Sequence, residues 1–168
     1  MKIELKNVKH AAFASTDSEC FEASIYIDGK RAGTASDDGN GGMIYIQPRE
    51  LEARLDAYAK TLPPVICEWT NDSGVPDSFE QSAGLVIGEL LADWLDLRDM
   101  KRAMNGRLLF VSGDGKLLKT GKVSNAKVAA WLANPAAYQP GAVLHGARHV
   151  LNNLPEAQAL AVYKEFGK

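Results

Sequence analysis

Hydrophobic and polar residues alternate along the first fifty positions, which is the two-residue period of β-strands with one buried face. The clearest segment is FEASIYI (21–27), whose four apolar side chains share one face. Asp28-Gly29 follows, and this dipeptide is typical of a two-residue hairpin turn because both positions take positive φ angles. The segments KRAGTAS (30–36) and MIYIQ (43–47) continue the pattern. We therefore predict an antiparallel meander.

After the meander the apolar residues recur with a helical period. One helix is predicted over 48–62, where a Leu-Pro-Pro sequence ends it. The longest helix is predicted over 78–104, with a capping box that begins at Asp77 or Ser78. Gly106 supplies the C-cap of this helix.

Several shorter elements complete the chain. VICEW (65–69) predicts a short strand and TNDSGVPD (70–77) a loop. A second hairpin is predicted around Asp114, and Ser124 caps a short helix behind it. Two final helices are predicted on either side of Asn152.

Strands come early and helices later, which predicts the α+β class. We expect an N-terminal antiparallel β-meander packed against helices, with a second hairpin and C-terminal helices. A length of 168 residues suits one domain over 1–168. A sub-boundary near residue 105 would separate a basic C-terminal part, made of the hairpin and helices, from the rest.

The net charge of −2 conceals a strong asymmetry along the chain. Residues 1–97 carry eight basic and seventeen acidic side chains, a net charge of −9. Residues 98–127 carry eight basic and two acidic side chains, a net charge of +6. Such a basic segment on an acidic protein suggests a polyanionic partner. The acidic half instead suggests a protein partner with a basic surface.

If the partner is a nucleic acid, we expect lysines and arginines of the basic segment to contact its phosphate groups. They are Lys101, Arg102, Arg107, Lys116, Lys119, Lys122 and Lys127. Aromatic residues are sparse in this segment, whereas a stacking platform for single strands needs several. A solvated basic face is the alternative interpretation.

The segment GTASDDGNGGMIYI (33–46) contains two aspartates, an asparagine and four glycines in front of a strand. A phosphate cradle needs a helix after the glycines, and an EF-hand needs ligands at alternate positions, so neither pattern fits. We predict a turn between strands. The alternatives are a metal-binding loop of another kind and a partner-binding loop that uses Asp37, Asp38 and Asn40.

No motif predicts catalysis, a metal or an organic cofactor. His145 and His149 have the i, i+4 spacing that zinc sites use on a helix, but no third ligand is nearby. Cys20 and Cys67 have no metal or disulfide spacing, and we expect free thiols in a reducing cytoplasm. His10 is the one histidine that a hairpin would bring towards Cys20. No signal peptide and no membrane-spanning run are predicted.

The run CFEASIYIDGKRAGTASDDGNGG, with its Asp28-Gly29-Lys30 turn and its Gly41-Gly42 pair, resembles a segment of small proteins encoded by phages, prophages and plasmids. The segments GDGKLLKTGKVS and VLNNLPEAQALAVY are similar to sequences from the same setting. The resemblance implies a bacterial or phage-infected cytoplasm and an accessory role. It brings no specific activity with it, because such proteins have no established function.

We therefore expect a non-enzymatic intracellular accessory protein that binds another protein and modulates a host or defence component. The first alternative is a nucleic-acid-binding protein that uses residues 98–127. The second alternative is an enzyme of an unrecognised class. The oligomeric state is left open by the sequence.

Overall fold

A computed structural model describes residues 1–70, 74–134 and 146–167. The chain divides into two compact units, Met1–Ala92 and Asp93–Lys168. The α+β class is confirmed, because a four-stranded antiparallel sheet is followed by helices and further small sheets. The single-domain organisation stays a prediction.

The first unit is built on an antiparallel sheet with the strand order β1-β2-β3-β4. Its strands are β1 (Ile3–His10), β2 (Phe21–Ile27), β3 (Lys30–Asp37) and β4 (Tyr45–Gln47). All four apolar side chains of β2 that were predicted to share a face are buried. Asp28 and Gly29 have φ angles of 49° and 81°, which is the positive-φ turn expected between β2 and β3.

Helix α1 (Arg49–Ala59) follows the sheet and ends before the predicted Leu-Pro-Pro stop. It buries Leu51 and Leu55, which are four residues apart on one face. Gly33 in β3 lies under this helix, since a Cβ atom there would come within 2.5 Å of the Leu51 side chain. The meander therefore packs on α1, as predicted.

The first unit contains a second hairpin that the sequence patterns did not predict. Strand β5 (Val65–Thr70) was expected, but it pairs with β6 (Pro76–Phe79), which was predicted as loop and helix start. The capping box at Asp77 or Ser78 was wrong, because both residues are extended in β6. Residues 76–79 are extended because they pair with β5, which contains β-branched residues. This pairing prevails over the local capping signal.

The long helix α2 (Ala83–Met104) consequently begins five residues later than predicted. Ser82 caps it, since its hydroxyl oxygen accepts a hydrogen bond of 3.3 Å from the Leu85 amide. At the other end, Gly106 has a φ angle of 68°, as the C-cap prediction requires.

Among its described residues, the second unit contains the C-terminal half of α2, the three-stranded antiparallel sheet β8-β7-β9 and two further helices. Its strands are β7 (Leu109–Val111), β8 (Leu117–Lys119) and β9 (His149–Val150), and its helices are α3 (Asn125–Ala133) and α4 (Glu156–Phe166). The hairpin around Asp114 and the Ser124 cap are both confirmed, the latter by a 3.2 Å hydrogen bond from the Lys127 amide.

The helix predicted before Asn152 is wrong over the described residues 146–153. His149 and Val150 form β9, and a 3-10 turn over Leu151–Asn153 follows. The reason is tertiary, because the Asn152 side chain accepts a hydrogen bond from the Leu109 amide and donates one to the Arg107 carbonyl. These bonds fix the segment beside β7.

Each unit has its own apolar core. In the first unit, β2, α1 and α2 all contribute buried apolar side chains; those of α2 are Ala83, Val86, Ile87 and Leu91. In the second unit, Met100 packs with buried residues of β7 and α4; the cluster is Met100, Leu109, Val111, Leu151 and Ala159.

Candidate functional site

The β5–β6 hairpin (65–70 and 76–79) exposes large apolar side chains. The exposed fractions, including that of Val75 just before β6, are 62% for Ile66, 66% for Trp69, 57% for Val75 and 44% for Phe79. The hairpin forms its own two-stranded sheet and pairs with no other described strand. Side chains of this size are usually buried, and grouped exposure of them marks interaction surfaces.

The strand register places these side chains on both faces of the hairpin. Phe79 lies opposite Val65 and Ile66 lies opposite Ser78. Successive residues of a strand point to opposite faces, so Phe79 and Ile66 are on different sides. Both sides of the hairpin therefore present exposed apolar area.

The sequence contains a short signal for this hairpin. β-Branched residues precede the turn-forming sequence NDSG, and Val75 and Phe79 follow it. The signal was too short to separate a strand from a helix start.

The two aspartates of the predicted partner-binding loop differ in burial and in hydrogen bonding. Asp37 is 9% exposed, and its carboxylate accepts hydrogen bonds from the Ser18 hydroxyl at 2.7 Å and the Gly39 amide at 2.8 Å. Asp38 and Asn40 are exposed, and Asp38 accepts a local hydrogen bond of 3.1 Å from the Asn40 amide. Asp37 thus braces the loop, while Asp38 and Asn40 are available for contacts.

A second loop is held against the first by Gly39. Its carbonyl oxygen accepts hydrogen bonds from the Thr16 and Asp17 amides at 2.8 and 3.0 Å. Gly39 has a φ angle of 86°, and a Cβ atom there would lie 2.1 Å from the Ala14 carbonyl oxygen, so only glycine fits. The turn between strands is confirmed. Next to this junction the Phe13 side chain is 96% exposed.

Several of the predicted nucleic-acid contacts form ion pairs within the second unit. Lys101 pairs with Glu156 at 2.7 Å, and Lys116 pairs with Asp114 at 3.0 Å. Arg102 lies 3.4 Å from the Asp99 carboxylate. Arg107 is half-buried. Surface pairs of this kind are weak, but they reduce the positive potential at Lys101, Arg102 and Lys116.

Lys119, Lys122 and Lys127 are exposed, and within the described residues none of them forms an ion pair. They follow one another from the end of β8 to the first turn of α3. The Lys127 ammonium lies 5.4 Å from the ring centre of Trp131, a cation–π geometry. This lysine stretch is the part of the basic segment whose charge is least compensated.

A groove of about 660 Å³ lies along the C-terminal half of α2 in the second unit. Trp94 and Leu97 supply apolar walls, and Arg98 lies with its guanidinium 5.4 Å from the Trp94 ring centre. Arg98 also donates a 2.8 Å hydrogen bond to the Asp99 carboxylate. Arg98 and Arg102 share the Asp99 carboxylate and Lys101 pairs with Glu156, so the positive charge of the groove is partly compensated.

The tip of the second-unit hairpin has a perturbed carboxylate. The hydrogen bond from the Ser112 hydroxyl, at 2.5 Å, and the nearby Lys116 ammonium hold the pKa of Asp114 below its ordinary value. The negative charge of Asp114 opposes the positive charge of the lysines of this hairpin.

The candidate metal and thiol residues do not come together in a site. His149 is in β9, which contradicts the helix geometry required of a His145–His149 pair, and His145 lies outside the described residues. Cys20 and Cys67 are free. The His10 ring contacts the Glu19 carboxylate at 2.5 Å. Among the described residues no group of three His, Cys, Asp or Glu side chains is placed to hold a metal ion.

The sequence matches no protein-family model, and the searches of curated proteins and of solved structures also found no match. The resemblance to proteins of mobile elements stays a prediction. In the described part of the chain, no helix has the length and apolar character needed to cross a membrane.

Proposed function

We propose that this protein acts by binding another protein, and that the β5–β6 hairpin is the element that enters the partner. The observation that carries the proposal is the exposure of Ile66, Trp69, Val75 and Phe79 on one short hairpin. An isolated two-stranded hairpin is only marginally stable, so a partner that covers it gains apolar contact and also stabilises it. Trp and Phe side chains are enriched at protein interfaces, and Trp is a frequent energetic centre of them.

The biological setting belongs to the same proposal. The resemblance to phage, prophage and plasmid proteins supports an accessory role in a bacterial cytoplasm, where the partner is a host or defence protein. The free state of Cys20 and Cys67 agrees with a reducing compartment. A non-enzymatic role requires no catalytic residues, and no motif in the sequence predicts any.

The test places a photoactivatable residue in the hairpin. We expect the variant Ile66→p-benzoylphenylalanine to give one dominant crosslinked protein after irradiation in a bacterial lysate. The matched control is Lys30→p-benzoylphenylalanine, at an exposed position of β3 in the same unit. Unlabelled protein should compete for the crosslink, and the variant Ile66→Ser/Phe79→Ser should not. Equal crosslinking from both positions, or none from position 66, contradicts the proposal.

Nucleic-acid binding is the second candidate, favoured by the uncompensated charges of Lys119, Lys122 and Lys127. Under this candidate, duplex or single-stranded DNA binds at low salt with a log–log salt slope of about −0.7 to −0.9 per phosphate contacted. Charge reversal of the three lysines to glutamate flattens the slope. The same number of reversals at Lys30, Arg31 and Lys60 in the first unit is the control. Identical slopes for the two triple variants contradict this candidate.

A further inference from the structure

We propose that the hairpin binds an apolar cleft whose rim is basic, so that the partner is a protein with a lysine- and arginine-bordered cleft. This inference rests on the proposed function, because it specifies what the hairpin enters. Two independent features of the hairpin carry it. One is the distribution of apolar side chains over its two faces, and the other is the charge around it.

The two-sided exposure determines the shape of the partner. Ile66 and Phe79 lie on opposite faces of the hairpin and both are exposed. A flat partner covers one face and leaves the other in water. A cleft removes both faces from water. The free energy gained on binding is then larger, because apolar stabilisation grows with the area buried.

The charge around the hairpin determines the chemistry of the rim. Residues 61–82, which contain the hairpin, include four acidic residues and no lysine, arginine or histidine. Asp77 lies within β6 and Glu80 directly after it, and both are exposed. In the described part of the chain neither carboxylate forms an ion pair.

An uncharged or acidic cleft would remove water from these carboxylates and supply no positive charge in its place, which is unfavourable. A basic rim meets them and speeds association through long-range attraction. The same charges disfavour an anionic lipid surface, although exposed tryptophan and phenylalanine side chains also occur at membranes. They also disfavour pairing with the identical hairpin of a second copy.

The test uses defined probes and the fluorescence of Trp69. Two amphipathic peptides share the same leucine positions, and their polar positions are all lysine in one and all glutamate in the other. We expect the lysine peptide to shift the Trp69 emission to shorter wavelength with a Kd at least about tenfold below that of the glutamate peptide, since lysine attracts the hairpin carboxylates and glutamate repels them. The preference should shrink as salt rises. The variant Trp69→Phe identifies the signal that comes from this residue.

Charge-swap variants assign the preference to the hairpin. In Asp77→Lys/Glu80→Lys the preference for the lysine peptide should disappear or reverse. The control Glu50→Lys/Glu89→Lys makes the same change in net charge at exposed positions of α1 and α2, and it should keep most of the preference.

Each other outcome contradicts a specific part of the proposal. Equal affinity for the two peptides overturns the basic rim while the apolar docking of the proposed function survives. Unchanged binding of both peptides to Ile66→Ser/Phe79→Ser overturns the hairpin as the docking element and the proposed function with it. A Trp69 shift with phosphatidylglycerol vesicles but with neither peptide replaces the protein partner by a membrane. Concentration-dependent self-association that removes the peptide response replaces it by a second copy.

Discussion

The Asp37 carboxylate braces the two loops at one end of the four-stranded sheet, and its removal should destabilise the first unit. The perturbation is Asp37→Ala, which deletes the acceptor of hydrogen bonds from the Ser18 hydroxyl and the Gly39 amide, at 2.7 and 2.8 Å. Asp37 is buried, so water replaces these bonds incompletely.

The expected magnitude follows from the number and type of bonds. A hydrogen bond to a charged group contributes about 1.5–3 kcal/mol, which makes about 3–6 kcal/mol an upper range for two bonds. The Ser18 hydroxyl also accepts a 3.1 Å bond from the Gly41 amide and keeps this partner. Relaxation and water entry reduce the loss further, so we expect the free energy of unfolding to fall by about 2–3 kcal/mol. Asp37→Asn keeps one acceptor oxygen and should lose about half of that.

The assay is urea unfolding followed by circular dichroism, combined with hydrogen exchange of peptides that cover 11–20 and 37–42. The transition midpoint should fall by about 1 M for a slope of about 2 kcal/mol/M. Exchange should accelerate in both loops, because the Gly39 carbonyl holds the Thr16 and Asp17 amides.

The control for this prediction is Asp38→Ala, which removes one local bond at an exposed position and should cost less than about 0.5 kcal/mol. If Asp37→Ala and Asp38→Ala have the same midpoint, the brace contributes nothing and the reasoning is refuted. Faster exchange in 37–42 alone would refute the coupling between the two loops.

Two further predictions concern the second unit. Ser112→Ala should raise the pKa of Asp114 in an NMR titration, because the Ser112 hydroxyl bond is the main cause of its lowering; the associated stabilisation is present above the unfolded-state pKa and is lost as pH falls through the folded-state pKa. Gly106→Ala should reduce the free energy of unfolding by at least about 2 kcal/mol, since φ is 68° and a Cβ atom would lie 2.4 Å from the Val123 carbonyl oxygen. Gly121→Ala, which has open space around it, should change stability little.

The sequence alone determined the parts of the fold whose signals are local and repeated. The alternation in 21–27 placed its apolar side chains in the core because a slip of one residue would expose all of them. Turns and caps were predicted where a residue type suits a local backbone need. Asp28-Gly29 and Gly106 adopt positive φ angles, and the Ser124 hydroxyl accepts a hydrogen bond from a helix amide.

The candidate site could be predicted only in part. The loop at 37–40 was located from its glycines, but the sequence gives adjacent aspartates the same chemistry. The tertiary structure separates them, because the Ser18 hydroxyl, nineteen residues away, reaches Asp37 and leaves Asp38 in solvent. The same holds for the basic segment, in which Lys101 is paired by the distant Glu156 while Lys122 has no ion pair in the described part of the chain.

The short elements were decided by tertiary pairing. Residues 76–79 and 149–150 are too few to show a period, and both adopt strand structure because a partner strand supplies hydrogen bonds to their backbone. The apolar hairpin follows from this pairing, since a helix beginning at Ser78 would have left β5 without a partner. Local patterns thus determined the meander and the helix ends, whereas contacts between distant residues decided which side chains are buried, paired or exposed for a partner.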